Sequence, residues 1–80
     1  MDKEHSLNIY PNPASTLLTI DNGNQMMQEI SLCDVLGKEI KTYTINASKT
    51  DLAINHLNKG FYFLRILTDK GMVNKGFVKE

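Results

Sequence analysis

The sequence predicts an all-β fold, a two-layer antiparallel sandwich of about seven short strands. Apolar residues recur with a period of two in short bursts, which is the pattern of strands with one buried face. Four of the five glycines lie between these bursts, where turns require a positive φ. No segment combines a sustained helical period with a cap at each end, so the pattern favours strands throughout.

Seven bursts account for nearly the whole chain. In order they are Leu7–Tyr10, Leu17–Ile20, Met26–Val35, Glu39–Ile45, Asp51–Ile54, Phe61–Thr68 and Met72–Lys79. The strongest rival for a helix is the segment 47–57. Its asparagines, serine and threonine compete for backbone hydrogen bonds, so we expect a loop with a short strand there.

Proline and glycine predict how the first strands are entered and joined. Pro11 and Pro13 flank Asn12 and fix φ at both positions, so the chain enters the fold through a rigid, non-helical corner. The pair Asn22-Gly23 is preferred in type I′ turns. It predicts a hairpin between the second and third strands.

Glycines also predict the later connections. The segments Leu36-Gly37-Lys38 and Asp69-Lys70-Gly71 predict two further hairpins, and Gly60 stands directly before the longest strand. Gly76 differs from the others because it falls inside a strand. We expect either a β-bulge or a close approach to the backbone at this position.

The longest strand has apolar residues on both faces. Placing Tyr62, Leu64 and Ile66 in the core between the sheets leaves the charge of Arg65 in water, so we predict this arrangement. Phe61, Phe63 and Leu67 then lie on the other face, covered by loops or available to a partner. Tyr62 follows a glycine at the head of its strand, and we expect its hydroxyl to close a loop onto the backbone, as a tyrosine corner does.

Composition limits the functions that the chain can have. Eighty residues form one domain. Nine basic and nine acidic residues give no net charge, which argues against nucleic-acid binding and leaves little repulsion between copies. The single cysteine, Cys33, cannot form an internal disulfide, and we expect it to be a small buried hydrophobe.

We expect residues 7–80 to form the domain. Residues 1–6 are polar and are expected to be a linker remnant or the leftover start of an excised domain, with the natural protein continuing upstream. The first ten residues contain no apolar run of the length that a secretory signal needs. No segment has the length and hydrophobicity of a transmembrane helix.

Patterns of catalytic, metal-binding or cofactor-binding residues are missing from the sequence. His5 and His56 are isolated, and the phosphate-binding, zinc-protease, hydrolase and dithiol motifs do not occur. We therefore predict no catalytic residue, no metal and no cofactor. Three lysines, Lys70, Lys75 and Lys79, form a thin basic trace near the C-terminus. Two interpretations of it are open: the lysines protect an exposed strand edge, or they are recognised by a partner.

Residues at both ends and in the middle of the chain carry a resemblance to a known family. They are Tyr10-Pro11-Asn12-Pro13-Ala14 with Leu18 and Ile20, Asp34-Val35-Leu36-Gly37-Lys38 with Ile40, Leu57 with Gly60, Tyr62, Leu64 and Ile66, and Gly71 with Lys75, Val78 and Lys79. In this order and spacing they resemble the type A C-terminal sorting domain of cargo exported by the type IX (Por) secretion system of Bacteroidota. The resemblance implies an immunoglobulin-like antiparallel β-sandwich.

The resemblance also implies a route of export and a set of partners. Cargo of this system reaches the periplasm through its own signal peptide and is recognised through the sorting domain by an outer-membrane translocon. A cell-surface sortase then usually removes the domain, and the cargo is anchored to lipopolysaccharide or released. The protein would thus be secreted or at the cell surface, and the domain would be a sortase substrate, not an enzyme, cleaved upstream of its first strand.

Ten residues are candidates for the sorting motif and its recognition. They are Pro11, Asn12, Pro13, Gly37, Gly60, Tyr62, Lys75, Phe77, Val78 and Lys79. We expect the corner to act through folding, and the last strand to dock on the translocon by β-augmentation through its four residues in this set. Unpaired sheet edges also make a homodimer a candidate assembly.

A second function class is an immunoglobulin-like module that binds a carbohydrate or a protein for an attached secreted enzyme. Such modules usually display aromatic platforms. The chain has no tryptophan and three tyrosines, Tyr10, Tyr43 and Tyr62, so the sequence favours the sorting domain.

Overall fold

A computed structural model describes residues 7–80, which form seven strands. The strands are β1 (Asn8–Tyr10), β2 (Leu17–Asp21), β3 (Met27–Cys33), β4 (Glu39–Ala47), β5 (Lys49–Ala53), β6 (Gly60–Thr68) and β7 (Gly71–Lys79). Each predicted burst corresponds to one strand, and the all-β prediction is confirmed. Residues 1–6, expected to be a linker remnant, lie outside the described residues. Between residues 7 and 80 there is no helix that could span a membrane.

The strands form two antiparallel sheets that enclose the core. One sheet has the order β1-β2-β5 and the other β4-β3-β6-β7. The inner faces of both sheets supply the buried apolar side chains. These are Ala14, Leu18, Ile20, Met27, Ile30, Leu32, Leu52, Ile54, Tyr62, Leu64, Ile66 and Phe77. The predicted arrangement of the longest strand is confirmed, because Tyr62, Leu64 and Ile66 are buried and Arg65 is exposed.

Two predicted hairpins are present and one is not. β3 pairs with β4 and β6 pairs with β7, which confirms the turns at Gly37 and Gly71. The hairpin predicted at Asn22-Gly23 is wrong, because β2 pairs with β1 and β5 whereas β3 lies in the other sheet. A type I′ turn needs a positive φ at both central residues, and here only Gly23 has one, at 66°.

Asn22 therefore belongs to a crossover between the sheets. It is buried, its backbone N–H donates to the Ser48 carbonyl at 2.8 Å, and its side-chain amide donates to the Gln25 carbonyl at 3.1 Å. The first bond anchors the crossover to the connection between β4 and β5, and the second closes the crossover on itself. The sequence thus marks a turn at this place but predicts the wrong turn type, and a turn does not determine in which sheet the next strand pairs.

Gly76 is explained by a close approach. The β6–β7 ladder has no register shift, so the predicted bulge is wrong. A Cβ atom at Gly76 would lie 2.6 Å from Cζ of Phe61, well inside van der Waals contact. The Phe61 ring thus covers the outer face of the sheet at the position where β7 has no side chain.

The connections lie at two opposite ends of the sandwich. Residue 7 enters at what we call the proximal end, where Asn8 pairs with Asp21 and where the segments 22–26 and 69–70 also lie. The segments 11–16, 34–38 and 54–59 and the last residue lie at the other end, which we call the distal end. The N–H of Ile54 donates to the Thr16 carbonyl there, at 2.8 Å, and joins two of these segments.

Candidate functional site

Ile20, Ile66 and Gly71 lie towards the proximal end, but many of the residues that carry the sequence resemblance gather at the distal end. The corner 11–13, the loop 34–38, Gly60 and Lys79 all lie there, although they are spread over the whole chain. Any upstream segment joins at the opposite, proximal end. The distal end is therefore the natural candidate for a functional surface.

Three hydrogen bonds join the beginning of the described chain to its end. The N–H of Val78 donates to Oδ1 of Asn12 at 2.9 Å, the N–H of Ala14 donates to the Val78 carbonyl at 2.9 Å, and the N–H of Glu80 donates to the Ala14 carbonyl at 2.8 Å. Ala14 runs parallel to the end of β7 and bridges to Lys79. We call this set, Asn12, Ala14, Val78 and Glu80, the terminal clasp.

The terminal clasp gives the Pro-Asn-Pro corner a structural role. Pro11 and Pro13 flank the asparagine whose side-chain oxygen receives the Val78 N–H, and both of their peptide bonds are cis. The corner is not the entry to the first strand that the sequence predicts, because it follows β1; it leads from β1 towards β2 and holds the last strand. No local pattern encodes a bond between residues 66 positions apart, so the sequence did not reveal it.

Tyr62 has the role that the sequence predicts. Its hydroxyl donates to the Asn58 carbonyl at 2.7 Å and closes the loop before β6. Its ring stacks on Phe77 with 5.7 Å between centroids. Gly60 opens the strand with a φ of 152°, in the region that favours glycine. Tyr62 therefore stabilises the distal end from inside, and the exposed Gly60 allows the backbone conformation that begins β6.

Two of the four residues expected to dock on a partner are not on the surface. Phe77 is fully buried, because it lies on the inner face of β7 opposite Tyr62. Lys79 is also on the inner face, is 7% exposed, and its Nζ donates to the Glu80 carbonyl at 2.7 Å. Their side chains stabilise the fold and are not available for direct contact with a partner.

Lys75 and Val78 are exposed. Lys75 pairs with the buried Leu64, so its side chain projects from the inner face of β7 at the open edge of the larger sheet. No ion pair joins it to another residue of the segment 7–80. Val78 lies on the outer face and pairs with Phe61, and both are roughly half exposed. The side chains of Lys75 and Val78 can therefore still contact a partner, as expected for the last strand.

Asp34 organises the loop that contains Gly37, a role that sequence reasoning missed. Its Oδ1 accepts hydrogen bonds from the N–H groups of Leu36 and Lys38, both at 2.9 Å. Gly37 has a φ of 86° and donates its N–H to the Asp34 carbonyl. Leu36 is held at the tip with 89% of its surface exposed. The Asp-x-x-Gly spacing is the signal that identifies such a turn.

Chemistry-bearing residues do not form a catalytic centre among the described residues. No group of three His, Cys, Asp or Glu side chains in residues 7–80 could hold a metal ion. Cys33 is buried, as expected, but it lies on the outer face of its sheet beside Phe63. It lines a shallow open pocket of about 180 Å³ together with Gly37, Phe63, Arg65 and Asn74.

The tyrosines do not form an exposed aromatic platform. Tyr62 is in the core, and Tyr10 is partly exposed. Tyr43 is half-buried, and this burial raises the pKa of its phenol. The Lys41 ammonium lies 5.2 Å from the Tyr43 ring centroid. This arrangement gives the carbohydrate-binding alternative no specific support.

A family model described as the secretion system C-terminal sorting domain matches residues 8–80, nearly the whole chain. The chain belongs to this family. The sorting domain found here is that of type IX secretion, and its match covers every strand of both sheets. No curated protein matches the chain.

Membership indicates the role of the sorting domain at a coarse level. The family consists of signals attached to cargo and recognised by the type IX secretion machinery, and it is not an enzyme family. A protein that carries such a domain is exported to the cell surface or secreted. The surface that the secretion machinery recognises is therefore the functional part of this sorting domain.

Proposed function

We propose that the domain directs an attached cargo protein across the outer membrane by the type IX system, and that a cell-surface sortase then removes it. The cargo reaches the periplasm by its own signal peptide, is recognised through this domain by the outer-membrane translocon, and is anchored or released after cleavage. The family match over residues 8–80 is the main support.

The geometry supports a division of labour between the two ends. The corner 11–13, Gly37, Gly60 and Lys79 of the sorting motif are at the distal end, whereas cargo joins through residue 7 at the proximal end. A translocon that engages the distal end leaves the cargo linker accessible to a sortase. This separation is the single structural observation that best fits a label that is first recognised and then cut off.

A reporter fusion tests the export step. A reporter with an N-terminal signal peptide is joined to residues 7–80 and expressed in a host that has a type IX secretion system. We expect the reporter at the cell surface or in the medium. A matched fusion that lacks Lys75–Glu80 should remain in the periplasm, because it has lost the end of β7 and the terminal clasp. Undiminished export of this shortened fusion contradicts the proposal.

The same fusion tests the cleavage step. Removal of the domain lowers the mass of the exported reporter by slightly less than the 9.0 kDa of the 80-residue chain. A host without the sortase should retain the full-length fusion. Export of an uncleaved reporter by the intact host contradicts sortase processing but not the sorting role.

A further inference from the structure

The four edge strands of the two sheets differ in how open they are to another strand. β1 and β5 have three and five residues, and β4 has two register shifts against β3. Short or irregular edges resist pairing with other chains. β7 has nine residues and pairs with β6 without any shift. Within residues 7–80, β7 is therefore the one long and regular edge.

The outward backbone groups of β7 can be assigned from its hydrogen bonds. The N–H and carbonyl of Val78 point away from β6, since both bond to the corner. These groups alternate along an antiparallel strand, so those of Met72, Asn74 and Gly76 point the same way. No bond joins them to another described residue. We call these three residues the free edge.

The terminal clasp already occupies the rest of this edge. Ala14 pairs there as a short parallel strand, with backbone bonds of 2.8 and 2.9 Å. The edge is thus shaped to accept an extended segment. The free edge continues directly from this pairing towards the proximal end of β7.

Lys75 restricts which segment can pair. Its ammonium projects on the inner side of the free edge and has no carboxylate partner in the described chain. A lysine at an edge discourages pairing with another apolar strand. A strand that places a carboxylate opposite Lys75 gains a favourable cross-strand pair instead.

The outer side of the free edge has apolar surface at both of its ends, with Asn74 and its exposed partner Arg65 between them. Met72 is more than half exposed there, and the Phe61 ring covers Gly76. Residues of an added strand that face Met72 and Gly76 would lie on this side, because facing residues of paired strands share a face. An incoming strand would thus meet the Lys75 charge on its inner side, and on its outer side the apolar surface at Met72 and Gly76 with the polar Asn74 between them.

We propose that the free edge accepts an extended strand of the export machinery that carries an acidic residue opposite Lys75 and apolar residues on its other face. The inference rests on the proposed function and specifies the chemistry of the partner. Backbone bonds to Met72, Asn74 and Gly76 provide affinity, and the carboxylate selects the partner over a second copy of the domain.

A proline substitution in the reporter fusion tests strand addition. Asn74→Pro removes an N–H that points away from β6, so the ladder within the sheet is kept. Asn74→Thr keeps the N–H and is the matched control. We expect Asn74→Pro to reduce export about tenfold or more, with the Thr variant close to the unmodified fusion. The melting temperatures of the two purified domains establish that both fold.

Export of the unmodified, Asn74→Pro and Asn74→Thr fusions distinguishes three outcomes. Export of the folded Asn74→Pro fusion at the level of the Thr control overturns the proposal while leaving the proposed function intact. Retention of the unmodified fusion contradicts the proposed function itself. If sedimentation shows that Asn74→Pro dissociates a dimer but leaves export unchanged, a second copy occupies the edge and the proposal is wrong.

Charge changes at Lys75 test the acidic partner. Lys75→Gln should reduce export by about threefold and Lys75→Glu by about tenfold, since the second places like charges opposite each other. The exchange Lys70→Glu, in the adjacent turn, is the control for net charge. Equal export by the Lys75→Glu and Lys70→Glu fusions overturns the assignment of an acidic partner.

Discussion

The sequence predicts the roles of some side chains at the distal end but not those of others. Tyr62 was predictable, because a tyrosine two residues after a glycine at the head of a strand is well placed to reach back to the preceding loop. Asn12 was not, because its partner is the Val78 N–H at the far end of the chain. Sequence reasoning identifies a residue when its partner is local.

The hydroxyl of Tyr62 should contribute measurably to stability. Tyr62→Phe removes its bond to the Asn58 carbonyl and should lower the free energy of unfolding by about 1 kcal/mol. Tyr43→Phe is the control, because no hydrogen bond of the Tyr43 hydroxyl is present in residues 7–80. Urea denaturation measures both, and equal losses for the two variants would rule out a specific role for the Tyr62 hydroxyl.

Asn12 should stabilise the fold through its side-chain oxygen. Asn12→Ala leaves the Val78 N–H without this acceptor and should cost about 1 kcal/mol of unfolding free energy. Asn12→Asp keeps an oxygen at the same place and should lose less. An alanine variant as stable as the original would mean that the bond contributes nothing to the free energy of unfolding.

At the scale of strands, the period of two located all seven elements but not their pairing. The turns at Gly37 and Gly71 joined neighbours in one sheet, as predicted, whereas Asn22-Gly23 carried the chain from one sheet to the other. A turn pair describes local backbone geometry and contains no information on which sheet follows.

A side chain at Gly76 should displace the Phe61 ring and destabilise the fold. Gly76→Ala places a methyl group against the Phe61 ring and should cost about 1–3 kcal/mol of unfolding free energy. In the background of Phe61→Ala the same change should cost almost nothing, because the ring is gone. Denaturation of the four proteins gives the coupling free energy, and a coupling near zero would refute the explanation by close approach.

At the scale of the whole molecule, the segment between β1 and β2 meets the end of the chain. The corner that follows β1 also holds the end of β7, and many of the motif residues converge at the distal end. The expected recognition by the last strand needed correction in detail, since Phe77 and Lys79 point inward. What remains available is the backbone edge of β7 with Lys75. This division between clasped and free edge is the basis of both functional proposals.

Amide hydrogen exchange along β7, measured by NMR on the isolated domain, tests this division most directly. The amides of Val73, Lys75 and Phe77 face β6 and should be protected in any case. We predict that the amides of Val78 and Glu80 are also protected, because the terminal clasp binds them, whereas those of Met72, Asn74 and Gly76 exchange rapidly. Rapid exchange at Val78 and Glu80, at the rate of Asn74, would contradict the account.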